Sequence, residues 1–132
     1  MSGIRILIAL TALSSCSIVT SPDQVPTSWE DTVKEQWAIT VADLLLRGVP
    51  QSKLDTIQWH HFSWKEHPGP FNCNDNNIPD NGCYRHGLGK HGSIEWNAQT
   101  PSVLHHEIGH AILHKLGYSC WKEYQHTERG CP

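Results

Sequence analysis

The strongest constraint on this chain is one short segment, residues 103–113, which reads VLHHEIGHAIL. It contains the pattern H-E-x-x-H at His106, Glu107 and His110. Residues four apart lie one turn above each other on a helix, so the two imidazoles can converge on one Zn²⁺ with the carboxylate beside it. Apolar residues frame the pattern, as in a helix that crosses a core. The segment predicts a zinc-binding helix rather than a helix with two ordinary histidines.

Local signals predict where this helix begins and ends, and helix geometry predicts the roles of the histidines next to the motif. It should span residues 101–116, because Pro101 suits a first turn and Gly117 ends the apolar pattern. His105 points about 100° away from the metal face. His114 lies one turn beyond the second motif histidine, and imidazoles at i, i+4 and i+8 span about 12 Å, too far to share one ion. Neither is expected to be a ligand.

Length and charge narrow the classes of protein to which the chain can belong. With 132 residues it has room for one domain only. The formal net charge of -3 and the lack of a Lys/Arg cluster predict no nucleic-acid partner. The chain has ten histidines, so a histidine near the motif is weak evidence of a ligand by itself.

The N-terminus has the features of an export signal. An apolar run over residues 6–13 is too short to span a bilayer and predicts a signal peptide over residues 1–15. The sequence Leu-Ser-Ser-Cys ending at Cys16 resembles a bacterial lipobox. That resemblance implies cleavage before Cys16 and a lipid on this residue. The lipid would anchor the protein in the cell envelope, at the bacterial outer membrane or facing the periplasm. Residues 16–27 then form a tether. A plain secreted protein is the alternative.

The cysteines predict disulfides. Five is an odd number, but a lipid on Cys16 leaves four in an oxidising compartment. Three pairings are possible, and proximity favours Cys73–Cys83 and Cys120–Cys131. A thiolate zinc site would need close C-x-x-C pairs, which the chain lacks.

Hydrophobic patterning predicts a small α+β domain over residues 28–132. The predicted elements before the motif are a helix over 29–47, a strand over 56–64, a turn-rich loop over 68–82 and a short strand over 93–96. The acidic and amide residues of the loop miss the EF-hand spacing, so turn formation explains them better than calcium does.

A catalytic zinc site needs a third protein ligand and one open position. The segment after the motif helix offers Glu123, His126 and Glu128 as candidates. Nothing in their spacing decides among these three residues.

With its H-E-x-x-H helix, the chain looks like a zincin metallopeptidase. Its last seven residues, HTERGCP from His126, resemble the tail of small bacterial metzincin-like lipoproteins, where a histidine precedes a Gly-Cys-Pro turn. This resemblance implies that His126 is the third ligand, with His106 and His110. The chain departs from the metzincin pattern at Leu113 and Leu116, where Gly and His are expected, and no methionine follows. A glutamate ligand, as in gluzincins, stays the alternative.

The same resemblance implies a fold and an activity. The fold is a small zincin-like domain with a backing helix, a short mixed or antiparallel sheet and the motif helix. The strand over 93–96 is expected at the sheet edge above the cleft, where it could pair with an extended peptide. The implied activity is zinc-dependent peptide hydrolysis by a monomer, with Glu107 as general base. The alternatives are a non-catalytic zinc-binding lipoprotein and an interaction module with a vestigial motif.

Overall fold

The structure is a computed structural model that describes residues 29–87 and 91–126. It is a small α+β domain with three helices and a three-stranded mixed sheet. The elements are α1 (Glu30–Leu46), α2 (Gln51–Leu54), β1 (Ser63–His67), β2 (Gly82–Arg85), β3 (Ser93–Asn97) and α3 (Leu104–Lys115). None of the helices in these ranges combines the length and the apolar character that crossing a bilayer requires.

Several predicted features fall outside the described residues. These are the signal peptide over 1–15, the lipid on Cys16, the tether over 16–27, Glu128 and Cys131.

Helix α1 confirms the predicted helix over 29–47. It packs against α3, and the Thr40 hydroxyl on its buried face lies 3.1 Å from the backbone carbonyl oxygen of His105. Gly48 follows the end of the helix, and its φ of 95° lies in the left-handed region that favours glycine. The backbone N–H groups of Gly48 and Val49 then donate to the carbonyls of Leu45 and Leu44, at 3.0 Å each.

The sheet has the order β1-β3-β2, with β1 parallel and β2 antiparallel to β3. The predicted strand over 93–96 is therefore confirmed as β3, but its predicted place at the edge is wrong. It is the central strand, and four of its five residues are buried. The edge strand beside the motif helix is β2. The position of β3 depends on its parallel pairing with β1, which lies far away along the chain, so local pattern could not reveal it.

The predicted strand over 56–64 is also wrong for most of its length. Trp59–His61 form a 3₁₀ turn, and β1 begins only at Ser63. Two local hydrogen bonds close the turn: the His61 N–H donates to the Gln58 carbonyl at 3.0 Å, and the Gln58 N–H donates to His61 Nδ1 at 3.2 Å. Local side-chain bonding of this kind competes with strand formation and outweighs the alternation of aromatic residues.

The core lies between the two long helices and one face of the sheet. Strand β3 contributes Ile94 and Trp96, which are fully buried. Helix α3 contributes residues spaced four apart, namely Leu104, Ile108 and Ile112, which are buried as well. The core thus holds one side of α3, and the motif residues His106, Glu107 and His110 lie on another part of its surface.

The loop over 68–82 covers the other face of the sheet near β2. The predicted disulfide between Cys73 and Cys83 is confirmed. The Asp80 carboxylate accepts a hydrogen bond from the Cys73 N–H at 3.3 Å, so this side chain organises the loop. Cys120 is also disulfide-bonded.

Candidate metal centre

Helix α3 brings the three motif residues to one surface. Its first turn, Pro101–Val103, is a 3₁₀ turn, and the chain leaves the helix through Gly117, whose φ is 82°. Both ends agree with the predicted helix over 101–116. Glu107 and His110 are buried, and His106 is half-buried.

His126 reaches these residues because the chain turns back over α3. After the 3₁₀ turn Trp121–Glu123, the Tyr124 ring packs directly on Gly109 of the motif. A Cβ atom at position 109 would lie 1.9 Å from the ring, so no side chain fits there. The Tyr124 hydroxyl also donates to the Asp43 carboxylate of α1 at 2.7 Å. This anchoring places His126, two residues later, beside the motif histidines.

The three imidazoles meet at their Nε2 atoms. These atoms are separated by 3.0 Å between His106 and His110, 3.1 Å between His106 and His126, and 3.3 Å between His110 and His126. A triangle with these sides has a circumradius of about 1.8 Å, slightly shorter than the Zn–N bond of about 2.0–2.1 Å. One ion can therefore lie at bonding distance from all three nitrogens. The donor set fits a metal ion.

Hydrogen bonds at the far side of two rings decide which nitrogen carries the proton. His110 Nδ1 lies 2.7 Å from the Trp121 carbonyl oxygen, and His106 Nδ1 lies 3.1 Å from Gln125 Oε1. Both oxygens only accept, so each Nδ1 must donate its N–H and each Nε2 is left with a lone pair. The two lone pairs then face each other at 3.0 Å. Histidines that bind a metal ion commonly donate their other ring N–H to an oxygen in this way.

The protonation states of His106 and His110 also suit metal binding. Burial lowers the pKa of His110 to about 4, and the neighbouring imidazoles add to this effect against the opposing Trp121 carbonyl. Burial lowers the pKa of His106 as well. Both rings are therefore neutral at pH 7, which metal binding requires.

Glu107 lies against the edge strand β2. It is only 8 % exposed, and its carboxylate accepts a hydrogen bond from the Tyr84 backbone N–H. A Cβ atom at Gly82 would lie 2.9 Å from Glu107 Cγ, so this glycine makes room for the carboxylate. Burial raises the pKa of Glu107 to about 7, the Tyr84 hydrogen bond opposes the rise, and the charge of Asp80 adds to it. A carboxyl group with this pKa can accept and release a proton near neutral pH.

The histidines and Glu107 line one open cavity of about 420 Å³. Its opposite wall is β2 together with the loop that the disulfide closes, and Trp121 and Lys122 lie at its border. The three candidate metal ligands, a buried carboxylate and the edge of a strand therefore line the same cavity.

The remaining predictions about this region can be judged from the same contacts. His105 Nδ1 donates to the Ser102 carbonyl at 2.6 Å, and His114 Nδ1 pairs with the Tyr84 hydroxyl at 2.9 Å. Neither belongs to the group of described residues that could hold a metal ion. Glu123 does not belong to it either.

Sequence reasoning gave no role to several residues that contact the motif, among them Gln125 and Gly82. No spacing rule links either of them to H-E-x-x-H. The only available signal for Gln125 was its place next to His126.

Comparisons with protein-family models, with curated proteins and with solved structures find no match for this chain. The function of the metal centre therefore has to be argued from its own residues.

Proposed function

We propose that this protein is a zinc metallopeptidase, with His106, His110 and His126 as ligands and Glu107 as general base. The observation that carries the proposal is the convergence of three imidazole Nε2 atoms beside a buried carboxylate in one cavity. Three imidazoles are a donor set that suits zinc, and three protein ligands leave one position open for catalysis. A zinc ion bound there supplies a Lewis acid that polarises a carbonyl group and activates water.

The role of Glu107 is to move one proton. Its carboxylate accepts a proton from the attacking water and returns it to the leaving amine. In the metal-free protein, burial raises the pKa of Glu107 to about 7, so this carboxyl group can exchange a proton near neutral pH. The Tyr84 N–H holds the carboxylate at the wall of the cavity, and Gly82 leaves the space that the carboxylate occupies.

The proposed substrate is an extended segment of a peptide or protein. Within residues 29–87 and 91–126, β2 pairs with β3 on one side only, and it forms a wall of the cavity. A strand in this position can add an extended peptide by backbone hydrogen bonds. The role that the sequence had suggested for residues 93–96 thus passes to β2.

The proposed location is the bacterial cell envelope. Two observations support it: the lipobox-like sequence that ends at Cys16, and the Cys73–Cys83 disulfide, which is typical of oxidising compartments.

Glu107→Gln tests this proposal, because it removes the base but keeps the shape of the side chain. The purified protein should contain one zinc per chain, and a peptide library analysed by mass spectrometry should reveal its cleavage products. We expect the variant to retain zinc and to lose activity by about 10²–10⁴-fold. Glu123→Gln, an exposed glutamate outside the metal-ligating group, is the matched control and should cleave like the parent.

The possible outcomes separate the alternatives. Cleavage that survives both Glu107→Gln and zinc removal contradicts the proposal. One zinc per chain without cleavage identifies a non-catalytic zinc-binding protein. The absence of stoichiometric zinc identifies a vestigial motif.

A further inference from the structure

Gln125 has an unusual position for an exposed glutamine. Its φ of 60° lies in the left-handed region, which is unfavourable for a residue with a side chain. It stands between the buried anchor Tyr124 and the exposed ligand candidate His126. Its amide nevertheless makes two hydrogen bonds, one to His106 and one to Tyr124.

These bonds form a chain in which every donor is defined. The His106 Nδ1–H donates to Gln125 Oε1 at 3.1 Å, and Gln125 Nε2 donates to the Tyr124 hydroxyl at 3.4 Å. The hydroxyl donates in turn to the Asp43 carboxylate at 2.7 Å, which also accepts from Arg47 Nε at 2.8 Å. The chain ends on a carboxylate, which can only accept when ionised, and this fixes the direction of each bond before it.

The direction of this chain determines what His106 can do. If the Gln125 amide were reversed, its NH₂ group would face His106 Nδ1, which would then have to accept. The ring proton would move to Nε2, and the lone pair that faces His110 and His126 would be lost. The hydrogen bond at one ring nitrogen thus sets the state of the other.

The two motif histidines differ in this respect. His110 donates to a backbone carbonyl, that of Trp121, which no substitution removes. His106 depends on a side chain. We propose that Gln125 is a positioning residue that keeps the proton of His106 on Nδ1 and so presents its Nε2 lone pair to the metal. This inference rests on the metal centre of the proposed function but not on peptidase activity.

Gln125→Met and Gln125→Glu form the pair of variants that tests this role. Methionine has a similar length but no comparable acceptor, whereas glutamate keeps an acceptor. We expect Gln125→Met to weaken zinc binding by about 10–100-fold, the usual effect of losing an outer-shell partner, and Gln125→Glu to restore it. Competition with a zinc chelator measures both affinities. Glu123→Leu, in the same exposed segment, should bind zinc like the parent.

A second measurement separates positioning from a general loss of structure. In the ¹⁵N-labelled metal-free protein, long-range ¹H–¹⁵N correlation spectra report the tautomer of each histidine. Gln125→Met should move His106 away from the Nδ1–H form and leave His110 unchanged, since its carbonyl partner is intact. Tyr124→Phe, which keeps the ring on Gly109 but removes the hydroxyl, should shift His106 in the same direction.

The inference is overturned if Gln125→Met keeps the tautomer of His106 or binds zinc like the parent. If the parent binds zinc but cleaves no peptide, the peptidase proposal fails, and the role of Gln125 is still decided by these two measurements. If the parent binds no zinc, the metal centre itself is rejected.

Discussion

His126 is the third candidate metal ligand, in addition to the two histidines of the motif. The residue pattern alone left Glu123 and Glu128 as rivals, and only a resemblance favoured His126. In the structure its Nε2 lies 3.1 Å from that of His106 and 3.3 Å from that of His110. Glu128 lies outside the described residues.

Substituting His126 should therefore affect metal binding more than substituting Glu123. We expect His126→Ala to weaken zinc affinity by more than the roughly 10–100-fold that loss of an outer-shell partner costs. Glu123→Ala should leave it unchanged. His126 is exposed, so its removal should not unfold the protein, and circular dichroism would verify this. An equal loss of affinity in both variants would contradict the assignment of His126 as the third ligand.

At the scale of elements, Gly109 determines how the segment after α3 packs on the helix. In the motif it occupies a position with no required residue type, and inside a helix glycine is less favourable than alanine by about 1 kcal/mol. The Tyr124 ring explains its presence, because a Cβ atom there would lie 1.9 Å from that ring.

Gly109→Ala should therefore lower stability although it improves helix propensity. The displaced Tyr124 ring should cost about 1–3 kcal/mol, as overpacking usually does, and this outweighs the gain of about 1 kcal/mol. Zinc affinity should fall as well, since Gln125 and His126 follow Tyr124. Denaturant unfolding of the metal-free protein and chelator competition measure the two effects. Gly69→Ala, where a Cβ atom meets nothing within 4 Å, is the control. A stabilised Gly109→Ala variant with normal zinc affinity would refute this packing role.

The elements that the sequence predicted well are those with local signals. Glycines 48 and 117 end α1 and α3, and both glycines adopt the left-handed conformation that their positions require. The strands were predicted less well. The hydrogen bonds between Gln58 and His61 form a turn where the sequence predicted part of a strand. The parallel pairing of β1 with β3 places β3 in the centre of the sheet instead of at its edge.

The same distinction applies to the candidate site. His106, Glu107 and His110 follow from helical spacing, which is a local property. Gln125 and Gly82 act through contacts with residues distant in sequence, so no window of sequence could have assigned their roles.

At the scale of the whole molecule, Glu95 connects all three strands on the face of the sheet away from the core. It belongs to β3 and is only 6 % exposed. Its carboxylate contacts His67 Nε2 of β1 at 2.7 Å and accepts from Arg85 Nε of β2 at 2.5 Å. The loop beyond is tied to the same cluster, because the Phe71 ring stacks on His67 at 3.8 Å and Arg85 Nη2 donates to the Asn72 carbonyl at 3.3 Å.

Glu95→Gln should consequently destabilise the protein in a pH-dependent way. Burial by itself would raise the pKa of Glu95, but the hydrogen bonds from His67 and Arg85 outweigh burial and lower it below the ordinary value of 4.5. A carboxylate whose pKa is lower in the folded state stabilises the fold above its unfolded pKa and loses this effect as the pH falls through its folded pKa. We expect the variant to be about 2 kcal/mol less stable at pH 7, because it leaves Arg85 without its buried charged partner.

A pH series tests whether the charge of Glu95 carries this effect. Urea unfolding of parent and variant should give a difference in free energy that is present at pH 7 and that shrinks as the pH falls below about 4.5. Glu35→Gln, an exposed glutamate on α1, should differ little from the parent throughout. A difference that persists unchanged at the acid end would mean that the negative charge of Glu95 is not what stabilises the sheet. The sheet would then be held by packing and the Cys73–Cys83 disulfide, without help from this ion pair.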